Sequence, residues 1–270
     1  MKAFIKNLLR SLPRIEGFIR RFVLSKFAFP EDEMELLHRS NFEFAISVDV
    51  GAALGHYTWI LSRQSRYVFA LEPGCYHGSF LSKNVYFSNI TLIRAAAGPG
   101  VGKAQLFSVG EGEEANHTAT LSGSNPVAID SNAKSSTVEM VTLDQLLGEV
   151  TESVDFIKID VEGFENDVLA GAKSVIFRHH PAILCEIELR HNHNAGEFFS
   201  MMKEFGYECA YWSGGRFNSF ELDNLPGLQS EANLKHRLSN NTRAAAGNQY
   251  INNFFFFHPE SKLQARDLNK

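Results

Sequence analysis

The chain contains little cysteine, and its three cysteines are scattered at Cys75, Cys185 and Cys209. They form no Cys-x-x-Cys pair and no histidine clusters beside them, so the spacing of a zinc or thiol redox motif is missing. Isolated cysteines of this kind behave as small apolar side chains, and the cytoplasm keeps them reduced. We therefore predict buried free thiols in a cytoplasmic protein.

Long apolar runs, internal repeats and an excess of positive charge are also missing. No run is long enough to span a bilayer, and basic residues interrupt the apolar stretch that a secretory signal would need. The net charge of −5 gives no indication of a nucleic-acid partner. Phenylalanine is abundant, with 23 among 270 residues, which predicts an aromatic core in one large domain with additions. The oligomeric state stays open.

The first 29 residues carry eight charged side chains, seven of them basic, together with apolar residues at helical spacing. The apolar positions are Ile5, Leu8, Leu9, Leu12, Ile15, Ile19 and Phe22. We expect a basic amphipathic helix with a kink at Pro13. It could lie peripherally on an anionic membrane surface, or pack on the rest of the chain or on a partner subunit. The expected domains are a helical extension (residues 1–40), a main domain (residues 41–260) and a C-terminal tail (residues 261–270).

Strand and helix patterns alternate along the rest of the chain. The predicted strands are residues 45–50, 67–71, 91–96, 104–109, 137–143, 154–161, 182–189, 207–212 and 250–258. The predicted helices are residues 31–39, 55–64, 76–87, 164–177 and 195–205. This alternation indicates an α/β fold, with a mostly parallel sheet covered by helices on both faces and an antiparallel hairpin at the end. We expect loops over residues 110–136 and 213–248.

The run FIKIDVEGFENDVLAGA over residues 156–172 begins with a strand pattern and continues after Gly163 with a helix pattern. Its charged residues Lys158, Asp160 and Glu162 occupy alternate positions, so we expect them on one face of the strand. Burying three charges is costly unless they pair or meet a ligand, and open α/β sheets bind their ligands where strands lead into helices. The run therefore predicts an active-site edge. The alternative is a solvated edge strand.

The first strand runs into a glycine turn, with Asp49 at the strand end and Gly51 and Gly55 four residues apart. Ala53 occupies the position at which the dinucleotide fingerprint requires its middle glycine. A carboxylate before the turn repels phosphate and suits an ammonium group, which fits the amino-acid moiety of S-adenosylmethionine better than a pyrophosphate. Glu72, 21 residues after Gly51, is placed to accept both hydroxyls of a ribose.

Several segments together resemble the FkbM-type S-adenosylmethionine-dependent methyltransferases. They are DVGAALGHYT, FALEP with LSKN downstream, VTLDQLL, FIKIDVEGFENDVLAGA and PAILCEIE. The resemblance covers residues 45–189, and KIDVEG followed by LxGA is its most specific element. It implies a class I methyltransferase fold, which is a Rossmann-like, seven-stranded, mostly parallel sheet with an antiparallel last strand and helices on both faces. The family usually carries Asn where this chain has Ala53, and often Asn where it has Gly74.

The resemblance implies a site for S-adenosylmethionine along the strand ends. Its expected members are Asp49, Gly51, Ala52 and Gly55 at the methionine end, Glu72 at the ribose, Ala95 and Ala96 near the adenine, and Asp160 nearest the methyl group. It also implies O-methylation of a hydroxyl, typically on a sugar, a glycan or a natural-product acceptor. A base that takes the hydroxyl proton assists such a transfer. Asp160 and Glu162 are the expected catalytic carboxylates, with Lys158 as their partner.

Other assignments stay open. His191 or His193 is an alternative base. A Mg²⁺ site could be built from Asp160, Glu162, Glu186 and His191, although no ligand spacing demands a metal and none is predicted. The alternative functions are a nicotinamide-dependent oxidoreductase, which the incomplete glycine fingerprint disfavours, and a non-catalytic scaffold that binds S-adenosylmethionine.

Overall fold

The structure is a computed structural model that describes residues 31–84, 88–110, 119–240 and 250–268. The amphipathic helix expected over residues 1–29 lies outside the described residues. The strands are β1 (Phe44–Val50), β2 (Ser65–Leu71), β3 (Ile90–Ile93), β4 (Ala96–Ala97), β5 (Gly102–Ser108), β6 (Lys134–Val141), β7 (Val154–Ile159), β8 (Ala182–Glu186), β9 (Glu208–Ser213), β10 (Arg216–Ser219) and β11 (Asn253–Phe257). The helices are α1 (Asp32–Arg39), α2 (His56–Ser62), α3 (Cys75–Asn84), α4 (Pro126–Ile129), α5 (Leu143–Leu146), α6 (Glu165–Ala170), α7 (Lys173–His179), α8 (Ala195–Glu204), α9 (Leu225–Leu228), α10 (Glu231–Asn240) and α11 (Ala265–Leu268), with a 3₁₀ turn at Leu222–Asn224.

Eight strands form one large sheet in the order β10-β9-β11-β8-β7-β1-β2-β3. The neighbours from β8 to β3 run parallel, and β11 pairs antiparallel with both β8 and β9. Every residue of β7 is buried, because helices cover both faces of the sheet. Val50 of β1 lies opposite Ile159 of β7 and Leu71 of β2. The last residues of these three strands therefore meet at one edge of the sheet.

The large sheet has one strand more than the seven that the family resemblance implies. The additional strand is β10, whose Arg216 pairs antiparallel with Ser213 of β9. It lies in the segment expected to be a loop over residues 213–248, which also holds the 3₁₀ turn, α9 and α10. That prediction was wrong because α10 is mostly polar, so its sequence carries little helical periodicity.

A second, three-stranded sheet has the order β4-β6-β5. β5 and β6 pair antiparallel from Gly102 opposite Met140 to Ser108 opposite Lys134, which confirms the predicted pair. The strand predicted over residues 91–96 is divided, since β3 belongs to the large sheet and β4 pairs with β6. The predicted loop over residues 110–136 also contains the short helix α4.

Two apolar clusters cover the two faces of the large sheet. Phe254 and Phe256 of β11 belong to one cluster, together with residues of α6, α7 and α8. Phe255 and Phe257 belong to the other, together with residues of α1, α2 and α11. All four phenylalanines are buried, as expected for a strand that is covered on both sides. The helices α1 and α11 thus pack on the same face of the sheet.

The helix predicted over residues 164–177 is divided into α6 and α7 at Gly171. A Cβ atom on Gly171 would lie 2.0 Å from the carbonyl oxygen of Gly98. Gly171 also accepts the N–H of Asp144 at 2.9 Å, so three segments meet closely at this glycine. The close approach interrupts the helix, and a local sequence pattern does not reveal it.

The cysteines differ in burial although all three are free. Cys185 is buried and Cys209 is half-buried, but Cys75 is exposed. The prediction of buried thiols was therefore wrong for Cys75, which is the first residue of α3. Among the residues in the described ranges, no helix is both long and apolar enough to cross a membrane.

Candidate active site

Two adjoining cavities lie at the edge where β1, β2 and β7 end. The first cavity has a volume of about 120 Å³ and extends along the residues that follow β2 and β3. The second cavity has a volume of about 260 Å³ and extends toward α1 and α2. Gly51, Ala53 and Asp160 line both of them. These three residues therefore form the junction between the cavities.

The glycine turn after β1 brings the end of β1 against the end of β7. Gly51 has a φ of +80°, and a Cβ atom there would lie 1.8 Å from the carbonyl oxygen of Asp160. The N–H groups of Gly51 and Ala52 both donate to the carbonyl oxygen of Leu71 at 3.0 Å. Gly55 has a φ of +81° and donates to the carbonyl oxygen of Ala52 at 2.7 Å. Glycine is therefore needed at both positions to close the turn.

Glu72 lies directly after β2 and lines the first cavity. Its Oε2 accepts the N–H of Ala53 at 2.8 Å, and its Oε1 accepts the N–H of Gly74 at 2.7 Å. Burial raises the pKa of Glu72 to about 7, although both hydrogen bonds act against the rise. Each oxygen has one backbone donor and keeps capacity for another.

Asp49 is 1% exposed and lines the second cavity. Thr58 of α2 donates its hydroxyl to Asp49 Oδ2 at 2.5 Å. Burial raises the pKa of Asp49 to about 6, while the hydrogen bond from Thr58 and the charge of Lys158 act against the rise. The second cavity therefore carries a carboxylate that ionises at a higher pH than an ordinary aspartate.

Lys158 and Asp160 form an ion pair at the junction of the cavities. Lys158 Nζ lies 3.7 Å from Asp160 Oδ2, and the side chains are 1% and 30% exposed. Burial lowers the pKa of Lys158, but the carboxylates of Asp160, Glu186 and Glu31 together raise it above its ordinary value. Lys158 is therefore a permanently charged, buried ammonium group.

Glu162 does not share the face of Lys158 and Asp160, so that prediction was wrong. β7 ends at Ile159, and Glu162 has a φ of +53°, in the left-handed region. Its carbonyl oxygen accepts hydrogen bonds from Thr120 Oγ1 and Asn125 Nδ2, both at 2.7 Å, which hold this costly conformation. The Glu162 carboxylate consequently meets His191, with 2.5 Å between Oε2 and Nδ1.

The pair of Glu162 and His191 is supported by a buried network beneath it. Glu165 is 1% exposed and accepts the N–H of Gly163 and the Asn192 side chain, both at 2.8 Å. A Cβ atom on Gly163 would lie 2.4 Å from the carbonyl oxygen of His191, so the two loops are in close contact. Burial raises the pKa of Glu162, and the hydrogen bond from His191 opposes the rise. Glu165 was not predicted as a site residue, because its only signal in the sequence is a charge at the start of an apolar helix.

Ala95 and Ala96 line the first cavity together with Glu72. The facing wall includes Leu106 of β5 and Leu121. These two leucines could not be predicted from the sequence, because the position of the second sheet against the large one depends on tertiary contacts.

A separate hydrogen-bond network holds the carboxylates of Glu186, the last residue of β8, and of Glu188, two residues further along the chain. Asn252 Nδ2 donates to Glu186 Oε1 at 2.5 Å and to Glu188 Oε1 at 3.0 Å. Glu188 also pairs with Arg190 and accepts the hydroxyl of Tyr250 at 2.9 Å. These contacts connect β8 to the segment that leads into β11, and they account for both oxygens of Glu188.

The residues considered for Mg²⁺ do not assemble a site of the expected kind. In the described part of the chain, three potential ligand atoms come within 4.8 Å of one another at His180, His258 and Glu260. His180 precedes β8 and His258 follows β11, so this group lies at the opposite edge of the sheet from the cavities. His193, the other histidine considered as a base, is exposed.

Comparison with known proteins yields a family and several distant structures. A family profile described as the methyltransferase FkbM domain matches residues 49–209. The methyltransferase FkbM from Methylobacillus flagellatus KT is 14% identical with a TM-score of 0.45, over 81% of this chain and 44% of that chain. An rRNA methylase from Streptococcus thermophilus is 14% identical with a TM-score of 0.40, over 69% of this chain and 88% of its own. A Streptococcus mutans protein in complex with SAH is 12% identical with a TM-score of 0.39, over 70% of this chain and 90% of its own.

No curated protein matches the chain. This chain spans less than half the length of the Methylobacillus flagellatus protein. The matched family segment runs from Asp49 at the end of β1 to Cys209 in β9, and it is more than half of the 270 residues. The fold is that of a class I methyltransferase with one additional strand. The chain belongs to the FkbM methyltransferase domain family.

Proposed function

We propose that the protein transfers the methyl group of S-adenosylmethionine to a hydroxyl oxygen of a small acceptor, which is a sugar, a glycan or a natural product. The observation that carries this proposal is the contact between Glu162 and His191 beside Asp160 at the cavity junction. A hydroxyl is a weak nucleophile until a base takes its proton. A carboxylate and a histidine beside the transferred methyl group therefore suit an oxygen acceptor.

The residues around the cavities fit the cofactor. The cofactor supplies an electrophilic methyl group on a sulfonium. Glu72 presents two oxygens that are each fixed by one backbone donor, which suits two adjacent ribose hydroxyls. Ala95 and Ala96 leave space beside Glu72 for an adenine. Asp49 supplies a carboxylate for the ammonium group in the second cavity, on the other side of the glycine turn.

Asp160 and Glu162 have different tasks in this proposal. Asp160 lines both cavities and is paired with Lys158, so its charge lies beside the transferred methyl group. Glu162 Oε2 is hydrogen-bonded to His191 Nδ1, which leaves Oε1 to take the proton of the acceptor hydroxyl. Burial raises the pKa of Glu162, which brings its basicity closer to that of a hydroxyl group.

The test is a methyl-donor assay on a panel of hydroxylated acceptors and amine acceptors, followed by the same assay on Asp160→Asn and Glu162→Gln. Both substitutions are near-isosteric, so the fold should be retained. Loss of a general base should lower turnover by about 10²–10⁴-fold, with a much smaller change in cofactor affinity. Glu139→Gln is the matched control, since Glu139 of β6 is exposed, pairs with Lys103 of β5 and does not line either cavity.

Each outcome of this assay has a definite meaning. Wild-type turnover by both variants would remove Asp160 and Glu162 from catalysis and make His191 the next residue to change. Cofactor binding without turnover on any hydroxylated acceptor would favour the non-catalytic scaffold. Methylation of amine acceptors alone would contradict transfer to oxygen.

A further inference from the structure

A cluster of two histidines and one glutamate lies at the edge of the large sheet opposite the cavities. His180 follows the last residue of α7, His258 follows β11, and Glu260 comes two residues later. One ligand atom from each of these side chains lies within 4.8 Å of the other two. Glu260 is exposed and both histidines are half-buried, so the cluster is open to solvent on one side. None of the three residues lines either cavity, so methyl transfer does not account for the cluster.

The ring nitrogens on the Glu260 side are the ones available as ligands. His180 Nδ1 lies 3.2 Å from Glu260 Oε2. His258 Nδ1 accepts the N–H of Glu260 at 3.1 Å, so this nitrogen carries a lone pair and not a proton. The other ring nitrogen of His258 faces Gly206, where a Cβ atom would lie 3.1 Å from Nε2. Two Nδ1 atoms and one carboxylate oxygen therefore lie together on the open side of the cluster.

Hydrogen bonds to the backbone hold both histidines in place. Ser261 is buried, and its hydroxyl donates to the carbonyl oxygen of His180 at 2.8 Å and accepts the N–H of His258 at 3.0 Å. Gln264 Nε2 donates to the carbonyl oxygen of His258 at 2.8 Å. His180 has a φ of +45°, which is a costly conformation for a residue with a side chain. The fold thus maintains a strained backbone that places one imidazole beside a second imidazole and a carboxylate.

The two imidazole rings are stacked in the absence of a ligand. Their planes are 9° from parallel and their centroids are 4.0 Å apart. An ion bound by both Nδ1 atoms lies near the plane of each ring, so one ring has to tilt when the ion binds. The side chain of His180 is 23% exposed, and solvent on that side leaves room for the rotation. Ligand atoms around a tetrahedral zinc ion are roughly 3–4 Å apart, so the required movement is small.

We propose that His180, His258 and Glu260 form a binding site for a divalent transition metal ion, and that this ion is Zn²⁺. Two histidines and one glutamate, with water in the fourth position, are a recurrent ligand set for zinc. Mg²⁺ and Ca²⁺ prefer oxygen ligands and do not suit a site with two imidazoles. The bound ion joins the segment after β11 to the turn between α7 and β8, and so stabilises the fold at the edge away from the cavities. The proposal is independent of the methyl acceptor.

The first test is titration of the full chain with Zn²⁺ at neutral pH, followed by calorimetry and equilibrium dialysis, after bound metals have been removed with a chelator. The wild type should bind Zn²⁺ at micromolar concentrations and should not bind Mg²⁺ at the same concentrations. Zn²⁺ should also raise the urea concentration at which the wild type unfolds, because it binds the folded state. A wild type that retains no Zn²⁺ would overturn the proposal.

Three variants assign the binding to the cluster. Glu260→Gln, His258→Gln and His180→Asn each remove one ligand, and Asn tolerates the left-handed backbone of His180. Each variant should weaken Zn²⁺ binding more than about 10-fold, since even groups that only orient a ligand contribute that much. The matched control is His193→Gln, which removes an exposed histidine elsewhere in the chain and should leave Zn²⁺ affinity unchanged. Co²⁺ in place of Zn²⁺ should give visible absorption bands typical of nitrogen ligands, and His258→Gln should change them.

The comparison of variants decides the proposal. Equal Zn²⁺ affinity in the wild type and in all three cluster variants would overturn it. Equal weakening by His193→Gln and by the cluster variants would overturn it as well, because the binding would then be spread over surface histidines. If His180→Asn does not fold, Glu260→Gln decides the matter, since Glu260 is exposed. S-adenosylmethionine should bind Glu260→Gln as tightly as the wild type, and a weaker cofactor affinity would contradict a site separate from the cavities.

Discussion

Replacing Glu72 by Gln should change both the pH dependence of stability and the affinity for the cofactor. The pKa of Glu72 is raised from 4.5 to about 7, mainly by burial. A carboxyl group with a raised pKa binds its proton more tightly in the folded state, so stability is lost as pH rises between these two values. The loss corresponds to about 3 kcal/mol when the carboxyl is fully ionised in the folded state.

Gln at this position removes the loss of stability with rising pH, but it disturbs the two hydrogen bonds that Glu72 accepts. The carboxylate accepts the N–H groups of Ala53 and Gly74, and an amide can accept only one of them. The unpaired donor should cost about 1–3 kcal/mol at every pH. The variant is therefore expected to be less stable than the wild type near pH 5, and its deficit should shrink as the pH approaches 8.

Urea unfolding at several pH values between 5 and 8 measures this difference, and titration with S-adenosylmethionine at pH 8 measures binding. The loss of a charged acceptor for the ribose hydroxyls should weaken the cofactor about 10- to 100-fold. Glu139→Gln, at an exposed position, should alter neither property. A parallel pH dependence in wild type and Glu72→Gln would show that the carboxylate is not desolvated, and unchanged affinity would remove Glu72 from the ribose site.

Four further predictions concern the turn, the core, the pH dependence of binding and the N-terminus. Gly51→Ala should unfold the protein or abolish cofactor binding, measured by circular dichroism and titration, because its Cβ would lie 1.8 Å from a backbone oxygen; a stable variant that binds normally would contradict the geometry of the turn. Phe256→Ala should lower the free energy of unfolding by about 3–5 kcal/mol in urea denaturation, since Phe256 is 1% exposed, and a loss below 1 kcal/mol would contradict its place in the core. Affinity for S-adenosylmethionine should increase between pH 5 and pH 7, because Asp49 has a pKa of about 6 and binds an ammonium only when ionised; an affinity that falls over this range would contradict that role. Deleting residues 1–29 should abolish sedimentation with anionic vesicles at low salt, and equal sedimentation of both proteins would leave these residues without a membrane role.

Local sequence patterns predicted those strands and turns whose burial depends on residues close together in the chain. The strands β1, β2, β7 and β8 are apolar runs bounded by turns, and the glycine turn after β1 left a clear signal. The position of Glu72 at the end of β2 could be predicted as well, because its separation from Gly51 along the sequence follows from the length of one strand–helix–strand unit. These features depend on neighbours in the sequence, so the sequence alone reveals them.

Features that depend on distant contacts could not be predicted. In the sequence, Glu162 continues the alternation of Lys158 and Asp160. In the structure, hydrogen bonds from Thr120 and Asn125 to its carbonyl oxygen hold its backbone in a left-handed conformation. Its side chain therefore contacts His191. These donors lie about 40 residues earlier in the chain. The same limit applies to β10 and α10, whose polar sequences show little periodicity, and to the division of the predicted helix at a glycine contact.

The most direct test of this account is a crystal structure of the protein with S-adenosylhomocysteine. We expect the ribose on Glu72 in the first cavity, the sulfur beside Asp160, and the amino acid end in the second cavity with its ammonium group on Asp49. A ligand bound with its adenine in the second cavity, or bound away from the ends of β1, β2 and β7, would contradict it.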